Sequence, residues 1–273
     1  MAGKKTSGQR RTPQGKASTE STSSKNISYW SVTAPQISAQ PLDKKIDADV
    51  CVVGGGIAGL TTAYLLAREG KSVVVLDKHE IGRAETANTS AHLSNVLDAS
   101  YRDIEKFHGT KGAQLAAASH SASISQIESI VAAEDIDCDF ARVDGYLALA
   151  DGQSEKELDE EFQAATQAGL QVEKLDRTPG VLGFGRCLRF PGQARFHPLN
   201  YLAGLVRSAE RAGVRLFSQT EAKEIKGGKT ARVKTDRRAT VTADAVVVAT
   251  NTPVNDWVTM HTKQAAYRTY VVG

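Results

Sequence analysis

The chain has 273 residues, of which 41% are apolar, and carries a formal net charge of +3. This length suffices for one large domain or two small ones, and the apolar fraction is typical of a globular protein. No apolar run approaches the roughly 18 residues that a membrane span needs, and no apolar segment follows the basic N-terminus, so we expect neither a membrane helix nor a secretory signal.

The three cysteines, Cys51, Cys138 and Cys187, show no paired spacing. This spacing predicts free thiols rather than disulfides, and it offers no set of metal ligands. We therefore expect a cytoplasmic protein without a metal site.

The first 45 residues carry eight Lys or Arg against two acids. Residues 1–27 are rich in Ser, Thr, Gln and Gly and offer too little apolar surface to offset the entropy of ordering, so they are predicted to form a disordered basic tail. A tail of this kind solubilises a protein or attracts nucleic acid or membrane, and we favour the solubilising role. Tyr29 and Trp30, by contrast, are expected to dock on the folded body.

The most informative segment comes next. An apolar run ends at Val53, the glycines Gly54, Gly56 and Gly59 follow, and Asp77 ends a second apolar run 23 residues after Gly54. This spacing is typical of a dinucleotide-binding βαβ unit, although a glycine turn in another α/β fold remains the alternative. Gly54 permits the tight turn, Gly56 admits a pyrophosphate and Gly59 allows close helix packing. Asp77 is placed to accept hydrogen bonds from a ribose.

Residues 79–97 form a long polar stretch, which is typical of a functional loop. Asp98 or Ser100 then caps a predicted short helix that runs to Phe107 and ends at Gly109. A long helix is predicted over residues 110–134. Its expected buried face consists of Leu115, Ile124, Ile127, Ile130 and Val131.

Residues 140–150 alternate in polarity around Gly145, which predicts two short strands joined by a turn. Ser154 and Glu157 form a predicted capping box at the start of a charged surface helix that ends near Ala168. This part of the chain therefore adds strands and a helix after the βαβ unit.

Residues 177–198 are rich in Gly, Pro and Arg and are predicted to be irregular, and Pro198 begins a helix to Ala212. Strands are predicted over residues 214–217, 222–225 and 231–235, followed by a further strand pair that begins at Val241 and contains a buried run over 245–249. The small and hydroxyl residues at the tip of that run suit a strand end that approaches a ligand.

Three segments of the chain, residues 49–95, 190–198 and 243–251, together resemble the FAD-dependent oxidoreductases of the D-amino-acid oxidase/glycine oxidase superfamily. Residues 86–93 resemble the branch whose members often carry a C-terminal Rieske domain, although this chain has no Cys-x-His pair for such a cluster. The resemblance implies an α/β fold: a Rossmann-like FAD-binding domain with an inserted α+β portion of a substrate domain, incomplete in this chain. It also implies FAD as the cofactor.

The resemblance further implies which residues contact FAD. The backbone of Val53, Gly54, Gly56, Ile57, Ala58 and Gly59 would hold the pyrophosphate, Asp77 and Lys78 the adenosine ribose and its neighbour, Asn88, Thr89, Ser90 and Ala91 the flavin, and Ala222 the adenine, while Ala249 and Thr250 would pass close to the cofactor. For Ala249 and Thr250 the alternative is an ordinary strand end. No residue is identified as a catalytic acid or base.

Two further residues keep open alternatives. His92 lies near the point where a related branch attaches its flavin to a histidine, but we favour a packing or capping role without a covalent bond. Arg195 precedes the helix at Pro198 and would suit a substrate carboxylate, but a surface or ion-pair role is favoured for it, as for Arg186 and Arg189.

The resemblance implies oxidation of an amine or amino acid C–N bond, with that small molecule as the partner and no nucleic acid or membrane. The predicted domains are a tail (1–27), a first FAD-binding part (28–140), a partial substrate domain (141–190), a second FAD-binding part (191–252) and the start of a return to the substrate domain (253–273). The chain is thus expected to be the N-terminal portion of a longer protein, inactive alone, whose exposed strand edges would allow association. An NAD-dependent dehydrogenase and a non-catalytic nucleotide-binding fragment are the alternatives.

Overall fold

The computed structural model describes residues 27–149, 152, 154–180, 185–251 and 254. The predicted disordered tail therefore lies almost wholly outside the described residues, and so does the predicted return to a substrate domain after residue 254. The domain boundaries and the expected association through strand edges stay predictions.

The described strands are, in chain order, β1 (Ile46–Val53), β2 (Val73–Leu76), β3 (His92–Leu93), β4 (Ala141–Ala148), β5 (Glu173–Leu175), β6 (Cys187–Arg195), β7 (Arg215–Phe217), β8 (Ala222–Lys226), β9 (Ala231–Thr235) and β10 (Thr240–Val248). The described helices are α1 (Tyr29–Thr33), α2 (Ile57–Arg68), α3 (Tyr101–Ala133), α4 (Glu155–Gln167) and α5 (Pro198–Arg211), with a 3₁₀ turn over Glu85–Asn88.

The first sheet has the strand order β7-β2-β1-β10-β9-β8. Its first four strands run parallel, and β9 and β8 continue it antiparallel. The centre of the sheet is apolar because β1 and β2 end in buried residues on both faces, as expected for parallel strands covered on two sides. Helices α2 and α5 pack together on one face around Tyr64, Tyr201 and Leu202. The βαβ unit and the parallel α/β fold predicted from the sequence are confirmed.

The second sheet is smaller and antiparallel. Strand β6 is its centre and pairs with β3, β4 and β5. One face, through Leu188 and Phe190, packs against Ala117 of α3 and Leu158 of α4. This sheet lies outside the parallel sheet and supplies the α+β part of the fold.

Several local predictions are confirmed by the helix ends. Ser100 caps α3, and residue Gly109, with φ 70°, interrupts the helix where the first short helix was predicted to end. Ser154 and Glu157 form the predicted capping box of α4. Pro198 is the first residue of α5, whose bounds agree with the prediction within one residue.

Leu115 contradicts the predicted buried face of the long helix. Its side chain is 60% exposed, whereas Ala113, Ala117 and Ile124 are buried. Nine residues separate Leu115 from Ile124, which is two and a half helical turns, so the two side chains point in opposite directions.

Two strand predictions were also wrong. Residues 141–148 form the single strand β4, because the irregularity at Gly145 is a register shift against Phe190 rather than a turn. The segment predicted to be irregular contains the nine-residue strand β6, in which buried Leu188 and Phe190 flank the partly exposed Arg189. The alternation was not recognised because Pro191 and Gly192, residue types that are uncommon in strands, lie within β6.

The end of β10 departs from the prediction as well. The expected strand pair after Val241 is one continuous strand, and the run predicted to be buried is only partly covered, with Val248 52% exposed. Its neighbours Val246 and Val247 each pack against a different core cluster, while the tip of the strand reaches the surface.

The three cysteines are free and buried. Burial raises the pKa of the Cys51 thiol to about 12 and that of Cys138 to about 11, so both stay protonated near neutral pH. Within the described ranges, no helix is both long and apolar enough to cross a membrane.

A buried carboxylate connects α3 and α4, the two helices that pack on the second sheet. Glu161 of α4 is 5% exposed and accepts hydrogen bonds from the backbone N–H groups of Tyr101 (2.9 Å) and Arg102 (3.1 Å) in the first turn of α3. A carboxylate there satisfies two amide groups that a helix leaves without partners and lies at the positive end of the helix dipole.

We expect Glu161→Ala to lower the free energy of unfolding by about 2 kcal/mol, because hydrogen bonds to a charged acceptor contribute about 1.5–3 kcal/mol and their loss leaves buried donors unpaired. The control is Glu160→Ala, which removes an exposed ion pair with Arg102 and should cost less than about 1 kcal/mol. Chemical denaturation of both variants checks this. Equal losses would show that the buried carboxylate does not hold α3.

Candidate functional site

A groove of about 970 Å³ lies at the carboxyl ends of β1, β2 and β10. It begins at the turn between β1 and α2, where Gly54 has φ 112°. A Cβ added to Gly54 would lie 2.8 Å from the carbonyl carbon of Ala249 and would overlap its oxygen. Only glycine therefore lets the end of β10 approach the turn, where the Ala249 N–H donates to the Val53 carbonyl at 2.8 Å.

Gly59 has the packing role predicted for it. A Cβ at this position would overlap the carbonyl oxygen of Gly54, so the first turn of α2 lies directly against the glycine turn. Gly59 is buried and does not line the groove. Its effect on the site is to hold the start of the helix at the groove.

Gly56 caps α2 without a side-chain hydrogen bond, and Gly56, Ile57 and Ala58 line the groove. The backbone N–H groups of the first helical turn and the positive end of the helix dipole thus lie beside the groove. A Cβ on Gly56 would point toward the Thr86 hydroxyl at 3.2 Å. This arrangement fits a phosphate or diphosphate group.

Asp77 follows β2 and lines the same groove. Its Oδ2 accepts a hydrogen bond from the Gly55 N–H at 2.7 Å and its Oδ1 accepts one from the His79 N–H at 2.8 Å. A Cβ on Gly55 would lie 2.6 Å from Ile81 Cδ1 and 3.0 Å from Asp77 Oδ2, so this middle glycine, to which the sequence analysis gave no role, makes room for the carboxylate. Each oxygen keeps a lone pair for a sugar hydroxyl.

The opposite wall comes from the connection between β7 and β8. The Thr220 N–H donates to the Asp77 carbonyl at 2.8 Å, and the Thr220 hydroxyl accepts a hydrogen bond from the Leu42 N–H at 3.0 Å and donates to the Ser218 carbonyl at 2.8 Å. These bonds join the second strand, the N-terminal segment and the far wall at one buried residue. Sequence reasoning missed Thr220 because its partners are distant along the chain.

The structure brings most of the predicted cofactor residues to this one groove. Those that line it are Val53, Gly54, Gly56, Ile57, Ala58, Asp77, Lys78, Asn88, Ala222, Ala249 and Thr250. Those that do not are Gly59, Thr89, Ser90 and Ala91. Lining residues that were not predicted include His79, Gly82, Arg83, Glu85, Thr86, Thr220, Glu221, Lys223 and Asn251.

Charges of both signs line the groove. Lys223 pairs with Glu221 and Arg83 with Glu80, whereas Lys78 makes no ion pair with any residue that the structure describes. The ammonium group of Lys78 in the groove adds attraction for an anion. The groove as a whole fits an extended dinucleotide such as FAD: a side-chain-free cradle, a carboxylate for a ribose and a wall on each side.

The N-terminal helix α1 holds the loop beside the groove. The Trp30 Nε1–H donates to the Thr89 carbonyl at 2.9 Å, and the Trp30 ring meets the His197 ring edge-on at 4.9 Å. Trp30 therefore docks as predicted, whereas Tyr29 stays 68% exposed.

His197 serves the fold at this point. Its Nδ1 accepts from the Asn200 N–H at 3.2 Å as the cap of α5, and its Nε2 lies 2.9 Å from the Thr33 hydroxyl. Because that hydroxyl donates to the Tyr29 carbonyl, Nε2 must carry the proton and donate to Thr33. The ring thus connects α1 to α5.

The other basic candidates lie away from the groove. Arg186 pairs with Glu155, and Arg189 pairs with Asp144 and Glu173, which confirms the ion-pair role predicted for both. Arg195 is exposed and lies opposite His92 in the register of β3 and β6. Among the described residues, no group of three or more His, Cys, Asp or Glu side chains could hold a metal ion.

Comparisons with known proteins give the same picture. The DAO family model, described as FAD dependent oxidoreductase, matches residues 49–272. A Bacillus subtilis (strain 168) protein named as a Rieske 2Fe-2S iron–sulfur protein, YhfW, is 30% identical over 228 residues, which cover 84% of this chain and 45% of that protein. Gamma-glutamylputrescine oxidoreductase from Escherichia coli (strain K12) is 28% identical over 235 residues, which cover 84% of this chain and 55% of that protein.

Among solved structures, an L-amino acid deaminase from Proteus myxofaciens in complex with anthranilate matches with a TM-score of 0.63 at 18% identity, covering 80% of this chain and 48% of that one. At this identity the likeness concerns the fold alone. The chain spans about half the length of the curated relatives it matches.

We expect Gly56→Asp to weaken FAD binding at least tenfold, because the new carboxylate would face the diphosphate across the cradle and oppose the helix dipole. Asp is a favoured helix cap, so α2 should persist and circular dichroism should stay unchanged. The control is Gly227→Asp, at an exposed turn with open space around it. Fluorescence titration with FAD measures both. An unchanged affinity for Gly56→Asp would show that the glycine turn serves only the fold.

We expect Trp30→Phe to weaken FAD binding about fivefold, because it keeps an aromatic ring beside His197 but removes the donor to Thr89, a bond that contributes about 1 kcal/mol. Tyr29→Phe, at an exposed neighbour, is the matched control and should bind FAD normally. The same titration applies. If the two variants bind alike, the indole does not position the loop.

Proposed function

Since this chain belongs to the DAO family of FAD-dependent oxidoreductases, we propose that it supplies the FAD-binding portion of an enzyme that oxidises the C–N bond of an amine or amino acid. The observation that carries the proposal is the side-chain-free cradle at Gly54–Gly56, with the start of α2 on one side and Asp77 on the other. FAD is the cofactor of the family, and the groove has the form that this cofactor requires.

We assign the groove residues to parts of FAD as follows. The N–H groups at Gly56, Ile57 and Ala58 hold the diphosphate, and the carboxylate of Asp77 accepts hydrogen bonds from the adenosine ribose. Ala222, on the wall opposite α2, lies beside the adenine.

Asn88 approaches the flavin, and the tip of β10 at Ala249 and Thr250, which lies against the glycine turn, passes close to the cofactor. The 3₁₀ turn Glu85–Asn88 brings Asn88 there. Thr89, Ser90 and Ala91 do not line the groove and act by supporting this turn, through the Trp30 bond to Thr89 and the buried Ala91 with φ 65°.

The substrate class rests on the relatives. One is named for gamma-glutamylputrescine, an amine, and a structural neighbour is an L-amino acid deaminase. FAD, when bound, supplies an acceptor for the two electrons released when a C–N bond is oxidised. The groove residues of this chain bind and orient the cofactor, and none of them is assigned a proton-transfer role.

The test of the function is reduction of the bound flavin. Purified protein should bind one FAD per chain, with oxidised-flavin absorbance at about 450 nm, a general property of flavoproteins. Under anaerobic conditions, bleaching of this band by an amine or amino acid from a panel would support the proposed substrate class and would contradict the expectation that this chain is inactive alone. Bleaching by 2-hydroxy acids or reduced nicotinamide, with none by any amine, would contradict the proposed substrate class.

We expect the groove to bind ADP and FAD at least tenfold more tightly than NADP, because the Asp77 carboxylate repels a 2′-phosphate. Asp77→Asn should reduce this discrimination, since the amide keeps an acceptor but loses the charge. Asp176→Asn, at an exposed position outside the groove, is the control. Calorimetric titration of the three nucleotides measures the ratios. Tighter binding of NADP than ADP to the unmodified chain would remove Asp77 from the ribose site.

A further inference from the structure

The second sheet has a cavity on the face away from α3 and α4. Its volume is about 460 Å³, and strands β3, β4 and β6 line it together with Thr178. Residues 92–94 form one wall directly after the loop that carries Asn88 into the FAD groove. One short segment therefore lines the groove at its first residue and the cavity at its last residues.

Thr178 lies in this cavity with an unsatisfied hydroxyl group. The residue is 7% exposed, and its Oγ1 has no hydrogen-bond partner among the residues that the structure describes. Buried hydroxyl groups are nearly always paired, because leaving one unpaired forfeits its bonds to water without replacement. An orphan hydroxyl that lines a cavity points to a ligand that completes its hydrogen bonding.

The Gln193 side chain, which also lines the cavity, is fully hydrogen-bonded. Gln193 is 4% exposed, and its Oε1 accepts from the Ser94 hydroxyl at 2.9 Å and from the Asn95 N–H at 2.8 Å. Its Nε2 donates to Asn95 Oδ1 at 2.7 Å and to the Pro191 carbonyl at 3.2 Å. The Gln193 side chain therefore has no donor or acceptor left for a ligand. It shapes the cavity, whereas the Thr178 hydroxyl is still able to form a hydrogen bond with one.

The charge at the cavity is negative. Asp144 lines it, and its Oδ2 accepts from Arg189 Nε at 2.9 Å, while Arg189 Nη1 donates to Glu173 at 2.7 Å. Two carboxylates thus share one guanidinium group, which leaves one negative charge in excess. The Oδ1 of Asp144 makes no hydrogen bond to the described residues. This composition favours a cationic ligand and disfavours a carboxylate.

We propose that this cavity binds the ammonium group of an aliphatic amine substrate, with the Thr178 hydroxyl and the free Asp144 oxygen as acceptors. The proposal rests on the proposed function, which makes an amine or amino acid the substrate. It narrows the substrate class to molecules that carry a cationic amino group, which would bind in the cavity of the second sheet. A primary ammonium group has three N–H donors, enough for both acceptors and one water molecule.

The test uses the full chain labelled with ¹⁵N and three probes of similar shape: n-butylammonium, n-butanol and butyrate. The titrations are run at about pH 8, below the usual pKa of an alkylammonium group. Butylammonium should give saturable shifts in the backbone signals of Thr178, Asp144 and Tyr146, with butanol weaker and butyrate without effect. Saturable shifts with butyrate, or none with butylammonium, would overturn the proposal.

Two variants separate the acceptors. Thr178→Val has the same shape without the hydroxyl and should bind butylammonium at least threefold more weakly. Asp144→Asn should abolish the preference for butylammonium over butanol. Thr166→Val, on the exposed face of α4, is the matched control and should bind like the unmodified chain. Unchanged butylammonium binding in Thr178→Val would overturn the role of its hydroxyl.

Stability gives a second measurement. Because the hydroxyl is unsatisfied, Thr178→Val should unfold at an equal or higher denaturant concentration without ligand, and a lower midpoint would show that the fold already satisfies the hydroxyl. FAD titration of the same samples separates the two proposals. Normal FAD binding without butylammonium binding overturns this inference alone, whereas loss of FAD binding counts against the proposed function.

Discussion

The contact between the glycine turn and the end of β10 is the constraint on which the structure depends. Gly54 lies so close to the Ala249 carbonyl that no side chain fits between them, and the Ala249 N–H is bonded to Val53. This contact places the last parallel strand beside the first, although about 190 residues separate them along the chain. The groove exists because both strands end at the same edge of the sheet, where α2 begins.

Asp77 has a structural role at the same turn. Its carboxylate accepts two backbone N–H groups, from Gly55 and His79, and so it braces the turn that forms the cradle. The side chain predicted to bind a ribose therefore also supports the turn that we propose binds the diphosphate. A carboxylate fixed by two hydrogen bonds loses little further freedom when a sugar binds, which makes the site preorganised.

The parts of the molecule that could be predicted from the sequence are those with local signals. The glycine spacing at 54–59, the caps at Ser100 and Ser154 and the proline at 198 all act within a few residues of themselves. Strand β6 and the Thr220 wall were missed because their structure depends on distant partners: β6 is held by three other strands, and Thr220 by Leu42 and Asp77. Leu115 was misplaced because it lies two and a half turns from Ile124.

The segment from Asn88 to Asn95 connects the cofactor groove with the cavity of the second sheet. Its first residue lines the cofactor groove, and His92 to Ser94 line the cavity of the second sheet. Distant residues fix it on both sides: Trp30 binds the Thr89 carbonyl, and Gln193 binds Ser94 and Asn95. Together with local bonds such as the one from Asn88 Nδ2 to the Ala84 carbonyl, α1 and β6 set the relative position of groove and cavity. An enzyme that must hold a substrate against a cofactor requires such a fixed separation.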